Sequence, residues 1–172
     1  MEIYVLSRGQ FDHEMKRNGI NDDTVEGFED IIFISILSTI DMPHSIHHLP
    51  VFKKPHPNTL TEKFDDVFNI ENEAVFLTGD PDKPISTGMG IRINEEQSDR
   101  IASFVHLNRD KKVALIHCAA GISRSGAVGA FINDIMGQSY LKFKEENMRV
   151  QENGEVYRML HKSYNRIVGS ES

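Results

Sequence analysis

The sequence has few cysteines, an excess of acidic over basic residues and no long apolar run, and each of these features argues against a class of protein. Cys118 is its only cysteine, so no disulfide can form within the chain, and we expect a reducing compartment. Its 19 lysines and arginines stand against 26 aspartates and glutamates, a net charge of -7 that argues against a surface built for nucleic acids or anionic membranes. The longest apolar run, residues 31–40, is too short to cross a bilayer, and the N-terminus lacks a basic segment followed by an apolar one. These features predict a cytoplasmic protein whose partner is neither a nucleic acid nor a membrane.

The pattern of apolar and polar residues predicts one α/β domain over residues 1–172. With 39% hydrophobic and 26% charged residues, the chain has the composition of an ordinary globular domain. Apolar, β-branched segments predict strands at residues 1–7, 31–40, 59–68 and 111–118. Helices are predicted over residues 11–17, from residue 94 onward, over 126–136 and over 155–168, with Asn94 and Gln97 spaced as a capping box. Strands that alternate with helices predict a central, largely parallel sheet flanked by helices.

The segment HCAAGISRSGA, residues 117–127, has the arrangement of an anion-binding loop. Cys118 ends a buried strand, and small residues lead from it into a helix, at the sheet edge where ligands usually bind. Arg124 can offer two parallel N–H donors to phosphate oxygens, and the helix adds the positive end of its dipole. Backbone N–H groups can also turn inward and bind the anion, namely those of Ala119, Ala120, Gly121, Ile122 and Ser123.

The same features favour a thiolate at Cys118. Arg124 and the helix dipole should lower the pKa of this cysteine below the free value of about 8.5. We expect Ser125 to donate a hydrogen bond to the thiolate when it leaves, and His117 to hydrogen-bond within the loop and help hold the anion. The alternative is a buried, chemically inert cysteine.

The loop resembles a known family. HCAAGISRSG matches the HCxxGxxRSG signature of cysteine-dependent protein tyrosine phosphatases, and it resembles the small dual-specificity branch most closely. The order of predicted elements resembles the compact phosphatases of bacteria and phages. This resemblance implies a tyrosine phosphatase-like fold and hydrolysis of phosphomonoesters through a phosphocysteine, with Cys118 as nucleophile and Arg124 as phosphate ligand. It implies neither a metal nor another cofactor.

The resemblance also bears on the substrate. Phosphatases of inositol lipids tend to carry basic residues between the cysteine and the arginine, whereas the segment AAGIS has none. We therefore expect a phosphorylated protein or peptide as the partner. A preference between phosphotyrosine and phosphoserine or phosphothreonine is left open, as is the oligomeric state.

The family also uses an aspartate upstream of the cysteine as general acid, and here its identity is ambiguous. At the spacing usual in dual-specificity enzymes, this position falls near Ser86, which is not acidic. We favour Asp66 in KFDDVF, at the end of the predicted strand, and its neighbour Asp65 is the second candidate. Asp82 and Asp80 in GDPDKP are also candidates, on a loop closer in sequence to Cys118.

Three other interpretations compete with a phosphatase that uses no metal. A pseudophosphatase would keep the phosphate-binding loop but lack an acid in reach. A rhodanese-like sulfurtransferase also places a cysteine loop in an α/β fold. His44, His47 and His48 could suggest a metal site, but the surrounding prolines favour a solvated loop.

Overall fold

A four-stranded parallel sheet forms the centre of the structure, a computed structural model that describes residues 1–39, 45–67 and 90–170. The strands are β1 (Glu2–Ser7), β2 (Ile31–Leu37), β3 (Thr59–Lys63) and β4 (Val113–Cys118). They lie in the order β1–β4–β2–β3, and every neighbouring pair is parallel. The predicted α/β class with a largely parallel sheet is confirmed.

The described residues also form five α-helices and one short 3-10 turn (Val25–Gly27), and three of the helices follow the last strand. The helices are α1 (Arg8–Arg17), α2 (Glu95–Leu107), α3 (Arg124–Ile135), α4 (Tyr140–Glu146) and α5 (Gly154–Ser170). Helix α2 begins as predicted, since Asn94 and Gln97 form the capping box.

Several predicted boundaries were wrong, and one helix was missed. Helix α1 begins at Arg8 rather than at residue 11, because Ser7 and Gln10 form a second capping box. Strand β3 ends at Lys63 rather than at residue 68, which lies outside the described residues. Helix α4, capped by Ser139, was not predicted, because its seven residues are too few to give a clear apolar period.

The two faces of the sheet carry two separate apolar clusters. In β2, Ile32, Ile34 and Ile36 face a large cluster that includes residues of α2, α3 and α5. Phe33, between them, faces a smaller cluster with Phe11 of α1. Because side chains alternate along a strand, neighbouring residues of β4 also point to opposite faces. Within the described residues, no helix combines the length and apolar character needed to cross a membrane.

The alternation places the last two residues of β4 on different faces. Cys118 belongs to the large cluster, whereas the ring of His117 packs against Phe11, with ring centroids 4.3 Å apart. Strand β4 lies between β1 and β2, with Cys118 opposite Ser7 and His117 opposite Ser35. The cysteine therefore emerges at the carboxyl edge of the sheet, on the side covered by α2, α3 and α5.

Candidate active site

A loop of five residues joins Cys118, the last residue of β4, to Arg124, the first residue of α3. Gly121 has a φ of 69° in this loop, a conformation that favours glycine. A Cβ atom added there would lie 2.4 Å from the backbone carbon of Leu6 and from the nitrogen of Ser7. The loop therefore needs glycine at this position for two reasons, its backbone conformation and its close approach to the end of β1.

The sulfur of Cys118 accepts two hydrogen bonds from the residues that follow it. The Ser125 hydroxyl donates to Sγ at 3.0 Å, and the Gly121 N–H donates to it at 3.3 Å. Burial raises the pKa of the thiol, but the bonds from Ser125 and the charge of Arg124 outweigh burial and hold the pKa of Cys118 below its ordinary value. The site therefore favours a thiolate, which is the reactive form of cysteine.

Arg124 is buried and held by the ends of two neighbouring strands. One terminal nitrogen donates to the carbonyl of Phe64 at 2.6 Å and to that of Leu37 at 3.3 Å, and the other donates to Oγ of Ser38 at 3.4 Å. Its Nε is buried and has no hydrogen-bond partner among the described residues. A buried N–H without a partner is costly, so this nitrogen is suited to bind an anionic ligand.

The loop lines a cavity of about 480 Å³. Cys118 and Arg124 lie in its wall together with four loop residues, Ala119, Ala120, Ile122 and Ser123. Asp66 comes from the segment after β3, and Gln151 and Glu152 come from the segment before α5. One cavity thus joins a thiol, a guanidinium and a carboxyl group, which are the groups needed to attack, hold and protonate a phosphate ester.

The two adjacent aspartates have different surroundings. Asp66 lines the cavity, and its Oδ1 accepts hydrogen bonds from Oγ of Ser123 at 2.7 Å and from Nδ2 of Asn153 at 2.9 Å. Asp65 instead ties together its neighbouring segments, since it accepts bonds from the backbone N–H and hydroxyl of Thr39 and from the N–H of Ile91. The geometry favours Asp66 over Asp65 as a group that meets a ligand.

The charge state of Asp65 points the same way. Burial raises its pKa, but the bonds from Thr39 and Ile91 and the charge of Arg124 outweigh burial and hold the pKa of Asp65 below its ordinary value. A carboxyl group that stays ionised has no proton to donate. Asp80 and Asp82, the two candidates in GDPDKP, lie outside the described residues, as does His44.

The expected contact of His117 with the loop needs correction. Its Nε2 and Oγ of Ser35, on β2, are hydrogen-bonded at 2.9 Å, because this side chain points to the face opposite Cys118. Burial lowers the pKa of His117 to about 3, and the charges of Arg8 and Arg124 act in the same direction. The ring is therefore neutral near pH 7 and contributes no positive charge to hold an anion.

The cavity and its borders include residues that the sequence analysis did not select. Gln151 and Glu152 line the cavity wall. Asn153 does not line the cavity but donates a hydrogen bond to Asp66. Gln151 also donates its backbone N–H to the carbonyl of Ile122 at 3.1 Å. An asparagine just before a helix is a recognisable N-cap, so this signal could have identified Asn153 as a helix cap. It could not have revealed the contact with Asp66.

Comparisons with known proteins find likeness in fold alone. No protein-family model matches the chain, and no curated protein matches it. Among solved structures, the chain is similar to Tk-PTP in its active form, with 18% identity and a TM-score of 0.42 over 82% of this chain and 83% of that one. It is also similar to the human tyrosine phosphatase-like serine/threonine/tyrosine-interacting protein, with 18% identity and a TM-score of 0.42 over 86% of each chain.

Proposed function

We propose that this chain is a cysteine-dependent phosphatase that hydrolyses phosphomonoesters on proteins or peptides through a phosphocysteine. We infer a compact enzyme of the kind found in bacteria and phages. One observation carries the proposal: the thiol of Cys118, with its lowered pKa, shares a cavity with the buried Arg124 and with Asp66. A reactive thiol, a buried guanidinium and a carboxyl group in one cavity suit attack on a phosphate ester.

In the first step, the Cys118 thiolate attacks phosphorus and displaces the alcohol or phenol. A sulfur–phosphorus bond forms while the bond from phosphorus to the leaving oxygen breaks. Asp66 gives its proton to that oxygen, so the leaving group departs as a neutral hydroxyl compound. Arg124 and the loop N–H groups hold the other phosphate oxygens, on which negative charge is carried through the transition state.

In the second step, water hydrolyses the phosphocysteine. The Asp66 carboxylate takes a proton from the water, whose oxygen attacks phosphorus while the sulfur–phosphorus bond breaks. The products are inorganic phosphate and the Cys118 thiolate. Ser125, whose hydroxyl lies 3.0 Å from the sulfur, donates a hydrogen bond that stabilises this leaving thiolate.

The lining of the cavity supports a single phosphoester on a protein over a polyphosphorylated substrate. Its only cation among the described residues is Arg124, and both Asp66 and Glu152 carry carboxyl groups. A substrate with several phosphates would bring added negative charge close to these groups. We propose tyrosine or dual specificity, and a cytoplasmic setting, since a nucleophilic thiolate is inactivated by oxidation.

Steady-state hydrolysis of an aryl phosphate tests the proposal. The wild type should turn over, Cys118→Ser should abolish turnover, and Arg124→Lys should reduce kcat/KM by about a hundredfold or more, because lysine lacks the planar fork. Arg17→Lys, at an exposed arginine on α1, is the matched control and should keep wild-type kinetics. An active Cys118→Ser protein would refute the assignment.

The same preparation separates the rival functions. A pseudophosphatase would bind vanadate or a phosphopeptide tightly without turnover. A rhodanese-like enzyme would transfer sulfur from thiosulfate to an acceptor.

A further inference from the structure

Asn153 is a fully buried side chain that joins three segments of the chain. Its Oδ1 accepts hydrogen bonds from the N–H groups of Glu155 and Val156, each at 3.1 Å, and so caps α5. Its backbone N–H donates to the carbonyl of Ser123 in the phosphate loop at 3.3 Å. Its Nδ2 donates to Oδ1 of Asp66 at 2.9 Å.

These bonds fix the orientation of the amide. Because two backbone N–H donors occupy the carbonyl oxygen of Asn153, the amide nitrogen has to face the segment that carries Asp66. A flipped amide would set its NH2 group against the N–H donors of α5. Nδ2 also donates to the carbonyl of Val67 at 3.3 Å, so the segment is held at two adjacent residues.

The bonds also distinguish the two oxygens of Asp66. Nδ2 of Asn153 and Oγ of Ser123 both donate to Oδ1, and the amide nitrogen can only donate, so these two bonds occupy Oδ1 as an acceptor. In the acid form, the proton is therefore carried by Oδ2. Oδ2 has no hydrogen bond to any of the described residues.

We propose that Asn153 is a positioning residue that holds Asp66 with its Oδ2 proton directed to the leaving oxygen. The proposal rests on the proposed function and deepens it. Asn153 and Ser123 together bind Oδ1 and tie the segment that carries Asp66 to the loop between Cys118 and Arg124. Phosphate, nucleophile and acid are thereby kept in register, and a small displacement of the acid lowers the rate of protonation.

The test is the dependence of kcat/KM on the leaving group, because kcat/KM reports the first step and excludes the hydrolysis of the phosphocysteine, which uses Asp66 with every substrate. Asn153→Ser keeps an N-cap oxygen for α5, but its side chain is too short to donate to Asp66. Phenyl phosphate needs a proton on its leaving oxygen, whereas 2,4-dinitrophenyl phosphate releases a stable phenoxide without one. We expect Asn153→Ser to lower kcat/KM about tenfold or more on phenyl phosphate and to change it by less than about twofold on the dinitrophenyl ester.

Three further variants keep the test independent of folding. Asn94→Ser makes the same change at the N-cap of α2, which has no contact with Asp66, and should preserve kcat/KM on both esters. Asn153→Asp retains the N-cap oxygen at nearly the same size but lacks the NH2 donor, so it should show the same selective loss. In an Asp66→Asn background, which itself loses activity selectively on phenyl phosphate, adding Asn153→Ser should cause no further loss.

The outcomes separate this proposal from the proposed function. Suppose that the wild type is active on both esters. If Asn153→Ser and Asn153→Asp then lose the same activity on both esters, or lose none, the positioning role is overturned and the proposed phosphatase activity stands. Additive losses in the Asp66→Asn background would also overturn it. A wild type inactive on both esters would overturn the proposed function, and the positioning role with it.

Discussion

At the scale of single residues, the site depends on how Cys118 keeps a negative charge in a buried place. Burial alone disfavours a thiolate, and the opposing contributions come from Ser125 and Arg124, which follow it in the chain. Arg124 is in turn held by carbonyl groups at the ends of β2 and β3, so its charge is fixed near the sulfur. The residues that favour a thiolate at Cys118 thus lie within seven positions of it in the sequence.

Removing the Ser125 hydroxyl should make the thiolate harder to form. Because this group donates a hydrogen bond to the charged form of Cys118, Ser125→Ala should raise the pKa of Cys118. The pH dependence of iodoacetamide alkylation measures this shift without ambiguity, since the chain has a single cysteine. The wild-type midpoint should lie below that of a free cysteine.

Ser163→Ala is the control for this change. Ser163 is also buried, but its hydroxyl donates to Oγ of Ser98 and has no contact with the loop. Its alkylation midpoint should equal that of the wild type. An unchanged midpoint in Ser125→Ala would contradict the role of this hydroxyl.

Asp65 makes a pH-dependent contribution to stability that is separate from the chemistry. Its folded pKa is lowered, so its stabilising contribution is present above the unfolded pKa of about 3.9 and is lost as pH falls through the folded value. Asp65→Asn should therefore have a lower free energy of unfolding than the wild type near pH 7. This difference in the free energy of unfolding should become smaller at low pH. Urea unfolding at a series of pH values measures this, and a difference independent of pH would contradict it.

At the scale of elements, the loop of residues 119–123 is held against the end of β1. Gly121 lies against Leu6 and Ser7 at the end of β1, and the N–H of Arg8 donates to the carbonyl of Ala119 at 3.2 Å. Helix α1 begins where this contact is made, because Ser7 is its N-cap. The shape of the loop is thus set partly by the junction of β1 and α1.

Gly121→Ala should disrupt this contact. The added Cβ would lie 2.4 Å from backbone atoms of β1, and the residue would keep a positive φ, so we expect a loss of about 3 kcal/mol or more in the free energy of unfolding. Gly137→Ala is the matched control, because Gly137 has a φ of 63° with no atom within 4 Å of an added Cβ. It should lose only about 1 kcal/mol.

Urea unfolding of the two alanine variants measures the difference. Equal losses at the two positions would show that the backbone conformation alone, and not the contact with β1, makes glycine necessary at residue 121.

At the scale of the whole molecule, the parallel sheet brings distant parts of the sequence to one edge. All four strands point the same way, so their carboxyl ends meet there. Ser7 ends β1 and Cys118 ends β4, whereas Ser38 follows β2 directly and Asp66 lies three residues after β3. The net charge of -7 does not prevent anion binding, because Arg124 and the start of α3 act locally at this edge.

This organisation explains how far sequence reasoning can go. The fold class follows from alternating apolar segments, and the loop follows from local spacing, since residues 117–125 are contiguous. We predicted that His117 contacts the loop because the loop follows it closely in the sequence. The pleat of β4 instead turns its side chain toward Ser35. Asn153 was missed because its contact with Asp66 spans 87 positions, and no local pattern encodes such a pair.

The central claim is that Cys118 carries the phosphate between the two chemical steps. The most direct test is to mix the protein rapidly with an aryl phosphate, quench the reaction with acid and analyse the peptide that contains Cys118 by mass spectrometry. The account predicts a phosphate on Cys118 in the wild type during turnover, and neither that phosphate nor turnover in Cys118→Ser. Turnover that persists in Cys118→Ser would contradict it.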